Sequence, residues 1–142
     1  AYFLDEKSSY GEAGAVKAVT CSLTISAVLY EHLNHVLPNY GLQPIDLRIS
    51  IDAGDFTIAK IGSQQRFSSK VAIGTIANIA SKLQKHTDAG EIVIGHSALL
   101  RLPLDWQVKF TEYNPVDTGF VFRQTQQDYS CYKYKGRWVI ND

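Results

Sequence analysis

The spacing of apolar side chains predicts a long helix in the first third of the chain. Residues 1–4 are apolar and predict a short strand. A polar turn follows, and apolar residues then recur at three- and four-residue steps, which is the period of a helix. We expect this helix to extend over residues 11–36 and to end at Pro38 and Gly41. Because apolar residues lie on more than one of its faces, the helix should pack against a sheet and against a further element.

An alternation of apolar and polar residues predicts a half-buried strand over residues 45–52. Residues 53–55 suit a tight turn and residues 56–61 predict a second strand, so we expect the two strands to form a hairpin. Residues 62–69 form a polar loop in this interpretation. A helical period over residues 73–83 then predicts a second helix, of about three to four turns.

The last third of the chain predicts short strands separated by turns. We expect a strand over residues 91–94, small elements near residues 97–100, and further strands over residues 106–112, 120–123 and 129–135. This order of elements predicts an α/β (α+β) fold, with the helices on one side of a largely antiparallel sheet.

The balance of charges excludes two classes of partner. The 142 residues carry 14 basic and 14 acidic side chains, so the formal net charge is zero and no basic patch for nucleic acid or a membrane surface is evident. The hydrophobic content of 45% excludes intrinsic disorder and supports one domain over residues 1–142. No apolar stretch is long enough to cross a bilayer.

The cysteines indicate the cellular compartment, and the lack of methionine indicates whether the chain is a fragment. Cys21 and Cys131 lie far apart in different predicted elements, which is unlike a disulfide framework and favours a reducing cytoplasm. The chain contains no methionine and begins with a predicted strand. We therefore expect an excised fragment of a longer protein.

Two polar clusters are candidates for binding chemistry. His32 and His35 lie three residues apart on the first helix and could hold a metal, although no third ligand is evident and a solvated helix end has the same pattern. On the second helix, Thr75, Asn78, Lys82 and Lys85 lie on the face opposite the apolar residues, with Asn78 and Lys82 one turn apart. An amide beside an ammonium suits a polar anion or a ribose, and an ordinary solvated helix face has this pattern too.

The chain resembles the catalytic domain of class III nucleotidyl cyclases in three segments of matching order and spacing: IDLRISIDAGDFTIAKIGS, VAIGTIANIASKLQ and AGEIVIGHSAL. In that family a strand-turn-strand GI-x-x-G precedes a helix G-x-x-x-N-x-A-x-R/K-L/M and a strand G-E/Q-I. The segments AYFL and AVKAV resemble the family's M-A-x-F strand and alanine-rich helix. The resemblance covers residues 1–100, whereas residues 101–142 match only in having terminal strands. It implies a ferredoxin-like fold, a mixed and mostly antiparallel sheet with helices packed on it.

The resemblance implies roles for residues of the second helix and the segment before it. Asn78 matches the asparagine that orients the ribose, and Lys82 matches a position where most members have an arginine that stabilises charge on the transferred phosphoryl group. Val71, Gly74 and Thr75 would line the substrate. Adenine-selecting members have Asp or Thr where this chain has Val71, so the base stays open between adenine, guanine and a pyrimidine, as in the pyrimidine cyclases that also carry lysine.

The activity that the resemblance implies is that of a lyase, which converts a nucleoside triphosphate to a 3′,5′-cyclic nucleotide and pyrophosphate for signal transduction. The site would be shared across a head-to-tail homodimer. The cofactor would be Mg²⁺ or Mn²⁺, held by two aspartates that we expect upstream of residue 1, because Asp5 lies beyond the first strand and matches neither. The chain would then be the C-terminal portion of an N-terminally incomplete catalytic domain.

Two other functions stay open. The chain could be a catalytically inactive, cyclase-like domain for dimerisation or regulation, which the valine at position 71 and the lysine at position 82 favour. It could also bind a metal or a small anion around His32, His35 and Lys82.

Overall fold

The computed structural model describes residues 1–4, 12–62, 69–113 and 119–136. Its strands are β1 (Ile49–Ile51), β2 (Thr57–Ile61), β3 (Ser69–Ile73), β4 (Ile92–Gly95), β5 (Phe110–Glu112) and β6 (Cys131–Tyr134). Its α-helices are α1 (Glu12–Ala27), α2 (Asn34–Val36), α3 (Thr75–Lys85), α4 (His96–Leu99) and α5 (Leu104–Gln107). No helix within these ranges combines the length and the apolar character that crossing a membrane requires.

A mixed sheet of four strands lies at the centre of the structure. Its strand order is β1-β4-β6-β5, in which β1 runs parallel to β4 and the other neighbours are antiparallel. Strands β2 and β3 form a separate antiparallel ribbon in which Ala59 lies opposite Val71. Antiparallel pairing predominates among the described strands, and the predicted mixed, mostly antiparallel α+β fold is confirmed.

Strand β4 is buried on both faces of the sheet. Ile92 and Ile94 belong to a core cluster that includes Leu23 of α1, whereas Val93 belongs to a second cluster with Leu83 of α3. Because successive side chains of a strand point to opposite faces, α1 and α3 cover opposite sides of the sheet. The expectation that the helices lie on one side is wrong, since a strand that is apolar at successive positions needs cover on both faces.

The first predicted helix is confirmed, and its winding changes towards its end. Helix α1 continues as a π-helix over Val28–Leu33, then as α2, and then as a 3₁₀-helix over Leu37–Tyr40. Gly41 ends the helix in the left-handed conformation with φ of 71°, which glycine adopts without strain.

Two side chains of this helix hold the segment that leads into β1. The Asn34 side chain donates to the Ile45 carbonyl at 2.9 Å and accepts from the Ile45 amide at 2.8 Å. The Tyr30 hydroxyl accepts from the Leu47 amide at 3.0 Å. Since side chains satisfy these backbone groups, β1 is shorter than the strand predicted over residues 45–52 and begins at Ile49.

Residues 1–4 do not form the predicted strand. Tyr2, Phe3 and Leu4 are exposed, and none of the described strands pairs with them. A strand is stable only where a neighbour takes its backbone hydrogen bonds, so the apolar composition of these residues was insufficient.

The hairpin predicted between residues 45–52 and 56–61 is also wrong. Strand β2 pairs with β3, which lies partly in the predicted polar loop and partly at the start of the predicted second helix. Residues 63–68 of that loop lie outside the described residues. The predicted second helix exists as α3, and it begins at Thr75 because Ile73 belongs to the ribbon.

The C-terminal strands are shorter than the pattern predicts. Residues 104–107 are helical because the amides of Trp106 and Gln107 bond to the Pro103 carbonyl, so only β5 remains of the strand predicted over residues 106–112. Within the described residues, the strand predicted over residues 120–123 is reduced to one bridge from Val121 to Asp128. The strands predicted at 91–94 and 129–135 are confirmed as β4 and β6.

Substitution of Leu83 tests the packing of α3 on the sheet. Its side chain is 1% exposed in the cluster beneath α3, so Leu83→Ala should lower the free energy of unfolding by about 3 kcal/mol through lost burial and an unfilled cavity. Leu100→Ala, at a side chain that is 61% exposed, should change it by less than about 0.5 kcal/mol. Urea denaturation compares the two, and equal losses would contradict this packing.

Candidate functional site

The outer surface of α3 carries a stripe of exposed polar side chains. Thr75, Asn78 and Lys82 are all exposed and lie within one sector of the helix, because residues three and four apart share a face. The opposite face is buried through Ile79 and Leu83. The burial of that apolar face fixes the rotation of α3, so the polar stripe points away from the sheet.

Gly74 joins the β-ribbon to α3 at a point of close approach. Its carbonyl accepts from the Asn78 amide at 3.2 Å, at the start of the helix. A Cβ added at Gly74 would lie 3.3 Å from the Asp55 carbonyl oxygen and 3.3 Å from the Phe56 Cα. A larger residue would push against backbone here, so glycine lets the helix begin directly after β3.

Val71 lies on the ribbon that precedes α3. Side chains alternate across a strand, so Val71 shares one ribbon face with Ile73 and, across the pair, with Ile61. All three side chains are exposed. These three side chains form an apolar strip on a face that also carries the exposed Thr57. The Val71 side chain has no hydrogen-bonding atom with which to read the edge of a base.

The ammonium of Lys82 lies over an aromatic ring that no sequence pattern links to it. Its Nζ is 4.6 Å from the centroid of the Phe120 ring. This distance falls within the range of a cation–π interaction, worth about 0.5–1 kcal/mol at an exposed site. Phe120 is half-buried against the cluster that contains Leu83. The two residues are distant in sequence, and no periodic pattern joins them.

Asp52, at the end of β1, is half-buried, and its Oδ2 atom is fully buried, which no pattern in the sequence indicates. Asp52 Oδ1 accepts from the Ala53 amide at 2.8 Å and from the Tyr129 hydroxyl at 3.0 Å. Asp52 Oδ2 is buried and has no hydrogen-bond partner among the described residues. In the sequence, Asp52 continues the polar half of an alternating strand, which predicts a solvent-facing side chain. In the structure a Cβ added at Gly95 would collide with this carboxylate, a tertiary contact for which the sequence carries no signal.

Burial changes the ionisation of this carboxylate and of the hydroxyl beside it. Desolvation raises the pKa of Asp52 from 3.8 to about 6, although the hydrogen bonds from Ala53 and Tyr129 lower it in part. Burial and the nearby Asp52 carboxylate also raise the pKa of the Tyr129 hydroxyl, which therefore stays protonated. That hydroxyl accepts from the Ser97 amide at 2.8 Å, so it joins β1 to α4.

A cavity among the described residues lies beside β1. It has a volume of about 500 Å³ and is lined by β1, α1, residues 1–4 and the inner face of α3, with Asp52 and Arg101 at its border. Its lining is mainly apolar. None of Val71, Thr75, Asn78 or Lys82 lines it, so the cavity is separate from the polar stripe of α3.

The described residues do not fit a bound Mg²⁺ or Mn²⁺. Within the ranges the structure describes, no three His, Cys, Asp or Glu side chains come close enough to hold a metal ion. His32 and His35 are exposed on the helix that continues α1, while Lys82 lies on α3 against the other side of the sheet. A site that combines these three residues is therefore not assembled within one chain.

Solved structures with a similar fold include nucleotidyl cyclases. The guanylyl cyclase Cya2 matches with a TM-score of 0.69 and 20% identity over 94% of this chain and 64% of that one. The adenylyl cyclase CyaB from P. aeruginosa matches with a TM-score of 0.62 and 21% identity over 93% and 64%. The guanylate cyclase domain of RhGC from Catenaria anguillulae, solved in complex with GTP, gives 0.59 and 19% over 93% and 64%.

These similarities show the fold, which is that of a nucleotidyl cyclase domain. The chain spans less than two thirds of each of those solved chains. No protein-family model and no curated protein matches the sequence. The fold class expected from the resemblance is confirmed, while the roles of Val71, Gly74, Thr75, Asn78 and Lys82 stay predictions.

The pH dependence of stability tests the burial of Asp52. The native state holds a proton on Asp52 more tightly than the unfolded chain, so this stabilisation is complete below pH 3.8 and is lost as the pH rises through about 6. On going from about pH 7.5 to about pH 5, the wild type should gain about 1 kcal/mol relative to Asp52→Asn.

Urea denaturation at the two pH values measures this difference. Asp46→Asn, at an exposed carboxylate earlier in the same segment, is the matched control and should keep the gain of the wild type. An identical pH response in Asp52→Asn and the wild type would show that the carboxylate is not buried.

Proposed function

We propose that this chain is part of a nucleotidyl cyclase domain that converts a nucleoside triphosphate to a 3′,5′-cyclic nucleotide and pyrophosphate. In this reaction the 3′-hydroxyl oxygen bonds to the α-phosphorus, and the bond from that phosphorus to the oxygen bridging to the β-phosphate breaks. Pyrophosphate leaves, and the hydroxyl proton passes to solvent. Such chemistry depends mainly on positioning and on electrostatic stabilisation of the transferred group.

The observation that carries the proposal is the polar stripe of α3 in a cyclase fold. Asn78 and Lys82 lie one turn apart on an exposed helix face, directly after the close approach at Gly74. These are the positions that match the family's nucleotide-binding helix. The polar residues alone would also suit an ordinary solvated helix. Their position within a fold like that of nucleotidyl cyclases is what favours a nucleotide site.

Each residue of the stripe has a role suited to its chemistry. The Asn78 amide can donate to and accept from ribose hydroxyls. The Lys82 ammonium can stabilise negative charge that develops on the transferred phosphoryl group. Lysine lacks the planar fork of arginine, so its donors are less well oriented than those of the arginine that most family members carry. Thr75 and Gly74 would contribute a hydroxyl and backbone at the start of the helix.

The base-binding part of the site is expected to be unusual. With valine at position 71, selection of adenine through a side-chain hydrogen bond is not available. We propose a site that accepts guanine or a pyrimidine, or one that selects the base weakly.

The metal ions expected for this reaction need ligands from outside the described residues. Cyclase chemistry of this class uses Mg²⁺ or Mn²⁺, which neutralises the triphosphate and activates the hydroxyl. No set of ligands for such an ion lies within the described ranges. We propose that residues outside the described ranges supply these ligands.

A second copy of the chain is the expected partner. The exposed apolar side chains Ile61, Val71 and Ile73 make the outer face of a two-stranded ribbon, and such ribbons are marginally stable without cover. A head-to-tail homodimer that covers this face would place the base-binding residue at the boundary between the two copies.

Self-association tests this arrangement. Ile73→Glu places a charge in the apolar ribbon face, so it should shift the full-length protein towards the monomer in sedimentation experiments. Leu104→Glu changes a side chain that is 79% exposed elsewhere, and it should leave the dimer intact. A dimer that survives Ile73→Glu unchanged would exclude the ribbon from the interface.

The alternative function is an inactive cyclase-like domain used for dimerisation or regulation. The valine at position 71 and the apolar ribbon face favour it, since both suit an interface as well as a substrate site. The two functions differ in whether Lys82 contributes to turnover.

Turnover by the full-length protein decides between them. We expect cyclic nucleotide from at least one of the four common ribonucleoside triphosphates with Mg²⁺ or Mn²⁺. Lys82→Ala should lower kcat by at least about 100-fold without loss of stability, because it removes transition-state stabilisation. Lys109→Ala, at an exposed lysine outside α3, is the control. No product with any base at high protein concentration would support the inactive domain.

A further inference from the structure

The backbone around Phe120 is held by hydrogen bonds, and its side chain packs on the core. Its carbonyl accepts from the Tyr129 amide at 2.9 Å, and the next residue forms the bridge to Asp128. Phe122 then donates its amide to the Gln127 carbonyl at 2.8 Å. The ring also packs against the cluster under α3. Phe120 is therefore held by a closed turn and by the core.

Lys82, in contrast, is exposed on the surface of α3. Its side chain has four rotatable bonds, and no ion pair restrains its ammonium within the described part of the chain. The contact with the Phe120 ring, at 4.6 Å, is the interaction that the structure gives for this ammonium. The ring contacts only one side of the ammonium. The N–H groups of Lys82 that point away from the ring can therefore donate to an anion.

We propose that Phe120 is a positioning residue, whose ring holds the Lys82 ammonium where it can meet the transferred phosphoryl group. This inference rests on the proposed function. The N–H donors of a lysine are less well oriented than those of an arginine. A fixed aromatic face compensates in part, because it restricts where the ammonium can lie. The ring would not touch the substrate, and its effect would pass entirely through Lys82.

Kinetics of Phe120 variants of the full-length protein test the proposal. Phe120→Leu and Phe120→Met keep an apolar side chain but lose the ring face, so each should lower kcat about three- to tenfold with little change in KM. Phe120→Tyr keeps the face and should retain most of the turnover. A merely structural role would give the opposite order, because Leu and Met fill apolar space without adding a hydroxyl.

Phe122→Leu is the matched control. Phe122 belongs to the same turn and packs on the same cluster, but its ring lies against His96 and Tyr129. This variant should lose stability comparably to Phe120→Leu while its kcat stays within about twofold of the wild type. Urea denaturation of each variant confirms that the comparison is made between folded proteins.

The possible outcomes separate this inference from the proposed function. If the wild type turns over a nucleotide and Phe120→Leu and Phe120→Met are equally fast, the inference is wrong and the proposed function stands. The same holds if Phe120→Tyr is as slow as Phe120→Leu. If the wild type turns over none of the four nucleotides, the proposed function fails and this inference fails with it.

Discussion

The burial of β4 on both faces is the constraint from which the rest of the structure follows. Ile92 and Ile94 require α1 on one side of the sheet, and Val93 requires α3 on the other. Because α3 must present its apolar residues to Val93, its opposite surface is left for polar ones. Asn78 and Lys82 are therefore exposed because the opposite face of α3 packs on the core.

The same core connects the buried carboxylate to the candidate site. Asp52 accepts a hydrogen bond from the Tyr129 hydroxyl, and the Tyr129 amide donates to the Phe120 carbonyl. The Phe120 ring in turn contacts the Lys82 ammonium. Through the Tyr129 hydroxyl, this carboxylate joins the end of β1 to the segment that carries Phe120.

Much of the fold could be predicted from the sequence, because α1, α3 and β4 have a clear period or a continuous apolar run. The ribbon could not, since the five residues of β3 merge with the apolar pattern of α3. Asp52 continues an alternating strand and therefore resembles an exposed residue. Phe120 meets Lys82 only through tertiary packing. Of the candidate site, the helix residues followed from spacing and resemblance, while their supporting contacts needed the structure.

A crystal structure of the full-length protein with a non-hydrolysable nucleoside triphosphate would show whether the α3 stripe binds the nucleotide. We expect Asn78 to lie within hydrogen-bond distance of the ribose, and the Lys82 ammonium to lie within about 4 Å of a phosphate oxygen while still contacting the Phe120 ring. A nucleotide bound away from α3, with Asn78 and Lys82 left in solvent, would contradict this expectation.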